Sequence, residues 1–190
     1  LFVLCPAVLR GKWVRELRVR FGVRAETPGA AEVLARLREA ADEGASTGFA
    51  IVASMPGLRP PRGWEEAEQE GGPPLALARF LGGREHEDPL IDLLVIDEAH
   101  YMRNPETMTT DLGRLLRGVS QYIALLSATP IHLRNRDLYQ LLNLADADLF
   151  NRPNFFDELL EARHSTPGWE RVCSGRRRLS RLVVASRVSR

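Results

Sequence analysis

Four short, predominantly apolar runs alternate with helix-patterned segments along this chain, and that alternation constrains its fold more than any other feature. The runs are residues 1–5, 49–53, 91–96 and 122–126. Each has strand length and, apart from Asp92, is apolar at successive positions, the pattern of a strand buried on both faces. Between them, Trp13, Val14, Leu17 and Phe21 recur at helical spacing, as do Val33, Leu37, Ala40 and Ala41 within residues 30–43. Residues 75–81 read as a short helix and 107–116 as another, and in 136–145 Leu138, Leu141, Leu142 and Ala145 fall on one helical face. Buried strands separated by amphipathic helices imply an α/β fold with a parallel sheet covered on both faces. With 190 residues, 44% of them hydrophobic, the chain can bury the core of one such domain.

Two segments break the pattern. Residues 57–74, GLRPPRGWEEAEQEGGPP, mix prolines, glycines and acids and read as a surface loop. From Phe150 onward strands disappear, and Phe155, Phe156, Leu159 and Leu160 suggest a helical appendage, so the chain divides into a lobe at 1–150 and a basic helical extension at 151–190. Residues 171–190 hold seven arginines and no acid, a stretch that suits either nucleic acid or solvent. The overall charge is only +1, and Lys12 is the single lysine among 26 basic residues. Cys5 and Cys173 are too far apart in sequence for a disulfide framework or a metal-ligand spacing, which fits a reducing compartment. The apolar opening lacks a basic leader and contains Pro6, so it reads as a strand in a piece of a longer chain rather than as a signal peptide. No segment reads as a membrane span.

The most apolar run drives into Asp97-Glu98-Ala99-His100. In open parallel sheets, ligands bind beyond the carboxyl ends of the strands. Two adjacent acids there repel each other and resist desolvation unless a cation or donor network compensates. Magnesium suits such a place, because one carboxylate can hold it while it bridges substrate phosphates. The neighbouring carboxylate is then left to orient or deprotonate a water. The plainer reading makes the acids the favourable first turn of a helix. A second strand end, residues 123–130, places Ser127 and Thr129 beyond another apolar run, where hydroxyls can reach the acidic segment or cap the next helix.

Asp97-Glu98-Ala99-His100 and Ser127-Ala128-Thr129 resemble motifs II and III of the superfamily 2 helicases, and in particular those of Swi/Snf-type ATPases and their HepA/RapA-like bacterial relatives. Pro6-Ala7-Val8-Leu9 with Lys12-Trp13 is similar to motif Ia, and Ile51-Val52-Ala53-Ser54 to motif Ib. Arg103-Asn104 and the run from Asp137 to Asn143 also follow that pattern. The resemblance implies a three-layer RecA-like (P-loop NTPase) lobe using ATP and magnesium, within a motor that moves on double-stranded DNA. It implies that Asp97 holds magnesium through water and that Glu98 polarises the attacking water. It further implies that His100, Ser127, Ala128 and Thr129 couple nucleotide to motion, and that Pro6, Ala7, Ala53 and Ser54 lie along a DNA backbone. Lys12 is a candidate phosphate contact, whereas Trp13 reads as a core residue of its helix. The implied setting is the bacterial cytoplasm, at the nucleoid, with room for a larger protein assembly.

The resemblance is incomplete. A G-x-x-x-x-G-K-[ST] cradle should precede motif Ia, but Gly11-Lys12 is followed by Trp13 and has Pro6 where the first glycine should stand. The second RecA-like lobe and its arginine finger, worth about 10³ to 10⁵ in rate, are also missing. Truncation explains both, and the chain by itself is expected to be inactive. His132-Leu133 departs from the usual polar residues after motif III. Two rival readings remain: another superfamily 2 motor, such as a strand-separating helicase or restriction-type translocase, and a catalytically dead DNA-binding or scaffold remnant.

Overall fold

The computed structural model describes residues 1–43, 48–67, 71–84, 88–127, 135–147 and 150, together with the backbone of 182–186. Strand β1 (Phe2–Cys5) ends at Pro6, and a single 3₁₀ turn (Ala7–Leu9) leads into α1 (Arg10–Phe21). Gly22 stops α1 in the left-handed region, at φ 67°, and its N–H returns to the Arg18 carbonyl. Only glycine adopts this conformation at no steric cost. Helix α2 (Ala30–Glu43) follows, with Glu32 accepting the Gly29 N–H at 2.8 Å to satisfy an otherwise unpaired helix-start donor. Next come β2 (Ile51–Ser54), the one-turn α3 (Met55–Leu58) and α4 (Pro73–Gly82), which carries Pro in its first turn. Strand β3 (Ile91–Asp97), a 3₁₀ turn (Ala99–Met102), α5 (Met108–Gly118), β4 (Ser120–Ser127), α6 (Asn135–Ala145) and β5 (Leu182–Ser186) complete the described elements.

The five strands form one parallel sheet in the order β2-β1-β3-β4-β5. Strand alternation divides its residues between two layers. Phe2, Leu4, Ile51, Ala53, Leu94, Ile96, Ile123 and Leu125 share the larger core with side chains of α2, α4, α5 and α6. Val3, Cys5, Val52 and Val95 face Leu17 of α1, with Trp13, Val14, Ala124 and Leu126 half-buried around them. The helix–sheet–helix arrangement is the expected α/β class.

Several expectations need correction. Residues 182–186, LVVAS, lie beside β4 as a strand, so the segment beyond Phe150 is not purely helical. Their apolar, β-branched character suits the strand edge they pair with. The rest of 151–190, including Phe155, Phe156, Leu159, Leu160 and most of the arginine-rich stretch, lies outside the described residues. The stretch 57–74 is not wholly a surface loop either: Leu58 is buried at 2% exposure, and residues 73 and 74 begin α4. Phe21 is 71% exposed at the end of α1 rather than in its core stripe. On the α1 side of the sheet, the paired Leu93 and Tyr122 remain exposed, so that face is only partly covered among the described residues.

Candidate nucleotide site at the end of the third strand

The sheet order creates the site. From β1 the chain moves to β2 on one side and then returns past β1 to β3 on the other, so the crossing direction reverses between β1 and β3. Ligands bind at such a reversal, outside the carboxyl ends of the strands. Asp97, the last residue of β3, and Cys5, the last of β1, stand there.

Asp97 is 5% exposed, and both of its carboxylate oxygens have donors. Oδ1 accepts the Glu98 backbone N–H at 3.0 Å, and Oδ2 accepts the Trp13 indole N–H at 2.7 Å. A buried charge needs such partners, and the lone pairs left over can face a hard cation or its waters. The donor set fits magnesium, which often takes only one or two protein carboxylates and retains waters and phosphates as its other ligands. The chemistry required of Asp97 is therefore compatible with its surroundings.

Glu98 follows in the left-handed conformation, φ 55° and ψ 46°, and is the only non-glycine with positive φ among the described residues. That backbone costs about 1–2 kcal/mol. It turns the chain sharply from β3 into the 3₁₀ turn, and strain of this kind concentrates at functional sites. Glu98 Oε2 is shielded from solvent yet lacks a hydrogen-bond partner. It lies 3.2 Å from His100 Nδ1, close enough for charge attraction when the imidazole is protonated. The same Nδ1 is 3.5 Å from Ser127 Oγ at the end of β4. Glu98, His100 and Ser127 thus meet across two adjacent strands.

The proposed DNA-side residues occupy the other half of the same edge. Cys5 pairs with Ser54 in register, so Pro6 and Ala7 emerge beside the end of β2. Ala7 and Lys12 are exposed. Ser54 is half-buried and caps α3 by accepting the Gly57 N–H at 3.3 Å, while Ala53 is fully buried and its carbonyl accepts the Cys5 thiol at 3.7 Å. Ala53 therefore presents no side chain outward. Ala128 and Thr129 lie outside the described residues.

The sequence pattern misses the part played by Trp13. Helical spacing marks it as core, and it is indeed half-buried, but its indole N–H reaches the Asp97 carboxylate 84 residues along the chain. Its position one residue after Lys12 within the motif Ia pattern was the available signal. Asn104 also has a definite structural task. Its carbonyl accepts the Thr110 hydroxyl at 2.6 Å and its side chain accepts the Glu106 N–H at 3.1 Å, fastening the segment after the 3₁₀ turn to α5.

Residues 83–186, more than half of the chain, match the SNF2-related domain family. The chain belongs to that family. Its fold is the RecA-like lobe of the Swi/Snf-type superfamily 2 ATPases. Among relatives, it is 28% identical over 103 residues to the SWI/SNF-related matrix-associated actin-dependent regulator of chromatin subfamily A-like protein 1 of Drosophila melanogaster, covering 52% of this chain and 13% of that protein. It is 35% identical over 75 residues to the uncharacterized ATP-dependent helicase YqhH of Bacillus subtilis, covering 40% of this chain and 13% of the relative. The structure of the Sulfolobus solfataricus SWI2/SNF2 ATPase core in complex with dsDNA aligns over 99% of this chain and 34% of its own, with TM-score 0.50 and 15% identity. This SNF2-related chain therefore spans only a fraction of the proteins it matches.

Proposed function

We propose that this chain is part of the first motor lobe of an ATP-dependent translocase on double-stranded DNA. The parent protein would supply the glycine-lysine phosphate cradle and the second lobe, and the 190-residue chain alone would be inactive. The observation that carries this reading is the paired-acid geometry at the strand reversal. Asp97 is held by two donors, while Glu98 turns away with a shielded oxygen that has no hydrogen bond.

Bound MgATP would bring the transferable phosphoryl group and neutralise its developing charge. Asp97 would hold the metal through water. Glu98 would orient the attacking water and accept its proton at the carboxylate. His100, lying between Glu98 and Ser127, would sense that change and pass it to the Ser127-Ala128-Thr129 segment. On the neighbouring strand ends, Pro6, Ala7, Ala53 and Ser54 would follow a DNA backbone through their main chain, with Lys12 adding charge. The dsDNA named with the Sulfolobus relative supports duplex DNA as the partner. Among the described residues no helix is long and apolar enough to cross a membrane. The match to a Bacillus subtilis helicase and the proposed action on DNA favour a parent at a bacterial nucleoid, open to further protein partners.

ATP hydrolysis by the parent, measured alone and with double-stranded DNA, single-stranded DNA or RNA, tests the reading. Duplex DNA should stimulate best. Glu98→Gln should keep ATP binding and lose about 10²- to 10⁴-fold in turnover, the range for a positioned general base. Absence of hydrolysis under every condition would instead favour a DNA-binding remnant.

A further inference from the structure

Trp13 stands apart from the residues that the motif pattern assigns to chemistry, yet its indole makes the shorter of the two hydrogen bonds to Asp97, 2.7 Å against 3.0 Å. We infer that Trp13 is a positioning residue for the magnesium carboxylate, its N–H fixing which Asp97 lone pairs face the nucleotide. This rests on the reading of Asp97 as the metal carboxylate.

The chemistry of the donor is what makes the assignment specific. An indole N–H donates a hydrogen bond but accepts none and carries no charge at any working pH. It can therefore orient a carboxylate without neutralising it, whereas a lysine or arginine at the same place would compete with the metal. The ring is held by its surroundings: half-buried Trp13, with Val14, packs against the buried cluster of Val3, Cys5, Leu17, Val52 and Val95. Oδ1 is tied at the same time by the Glu98 N–H. With one donor on each oxygen, rotation of the carboxylate would break both bonds, and the remaining lone pairs keep a fixed direction. Partners that orient a ligating group in this way commonly control metal affinity by roughly tenfold to a hundredfold.

The test uses the full-length parent with ADP bound, titrated with Mn²⁺, and reads free Mn²⁺ by electron paramagnetic resonance; thermal unfolding is measured on each variant. Trp13→Phe removes the N–H and keeps an aromatic ring. Replacement of Trp13 by benzothienylalanine removes the N–H with almost no change of shape, and it decides the matter if the phenylalanine variant fails to fold. Both should weaken Mn²⁺ binding about tenfold, with the isostere's unfolding temperature close to wild type. The magnesium concentration giving half-maximal ATPase should rise in parallel. Asp97→Asn serves as the reference. If it abolishes Mn²⁺ binding while the isostere binds as wild type, Trp13 is only a packing residue and the inference is overturned. If Asp97→Asn binds Mn²⁺ normally, the reading of the site itself falls, and the role of Trp13 with it.

Discussion

Cys5 ends the strand next to the one that ends in Asp97, and the two residues feel each other. Burial first, and the Asp97 charge second, push the Cys5 thiol up from 9.0 to about 11. A raised thiol pKa means that the folded state favours the protonated form. Its contribution to stability is complete below the unfolded value and is lost as pH rises through the folded one, between about pH 9 and about pH 11. In metal-free buffer, the wild-type chain should lose stability to urea more steeply across that window than Cys5→Ala. The alanine variant should be less stable by a constant amount below it, because it leaves a cavity. Parallel curves through pH 11 would show that Cys5 does not titrate with unfolding. At this scale the Asp97 and Glu98 pair is legible in the sequence, because acids after a buried strand have few bland explanations. The left-handed backbone of Glu98 is not legible, because nothing in the local residue types demands it.

Elements join the residues through α5. Thr110 is 3% exposed, and its hydroxyl sits 2.6 Å from the Asn104 carbonyl and 3.2 Å from that of Met102, so one side chain binds the turn after Asp97 to the first turn of a helix. Thr107 caps the same helix start, its hydroxyl 3.3 Å from the Thr110 N–H. Thr110→Val keeps the shape and removes the donor, leaving the buried Met102 carbonyl short of a partner at a cost of about 1–3 kcal/mol, while the Asn104 carbonyl retains the Thr107 hydroxyl at 3.3 Å. For a chain of this size each kcal/mol corresponds to about 2–4 °C in unfolding temperature. Calorimetry should show that fall, with Thr110→Ser recovering most of it; an unchanged unfolding temperature for Thr110→Val would mean that water replaces the hydroxyl. Strands β1 to β4 and helices α1, α2, α4 and α5 follow from local pattern, since each apolar run or stripe carries its own signal, whereas the one-turn α3 does not. Strand β5 does not, because LVVAS is framed by arginines and its partner β4 lies some 60 residues upstream in the chain. Trp13 is likewise hidden: the residue that gives its indole a purpose lies on another element.

For the molecule as a whole, the sheet order β2-β1-β3-β4-β5 sets two classes of candidate residue on one edge, on either side of the reversal between β1 and β3. Pro6, Ala7, Ser54 and Lys12 belong to the β1–β2 side, and Asp97, Glu98, His100 and Ser127 to the β3–β4 side. A motor needs such adjacency, because the state of the nucleotide must alter the grip on the track. It should also hold that track by its backbone, since a motor that read bases would stall on unsuitable sequence. The first turns of α1 favour this use: Lys12 and Arg15 are exposed there, and the one acid of the helix, Glu16, is paired with Arg20. In the parent, Lys12→Ala should weaken duplex DNA binding by a similar factor on unrelated sequences. Loss of one phosphate contact should also reduce the magnitude of the slope of log affinity against log salt by about 1, through one fewer counterion released. Nucleotide affinity without DNA should stay unchanged, because Lys12 points to solvent rather than to Asp97. Fluorescence anisotropy over a salt series on two unrelated duplexes measures both quantities. An unchanged slope would place Lys12 outside the DNA interface, and a loss confined to one sequence would make it a reader of bases, contrary to a translocating grip.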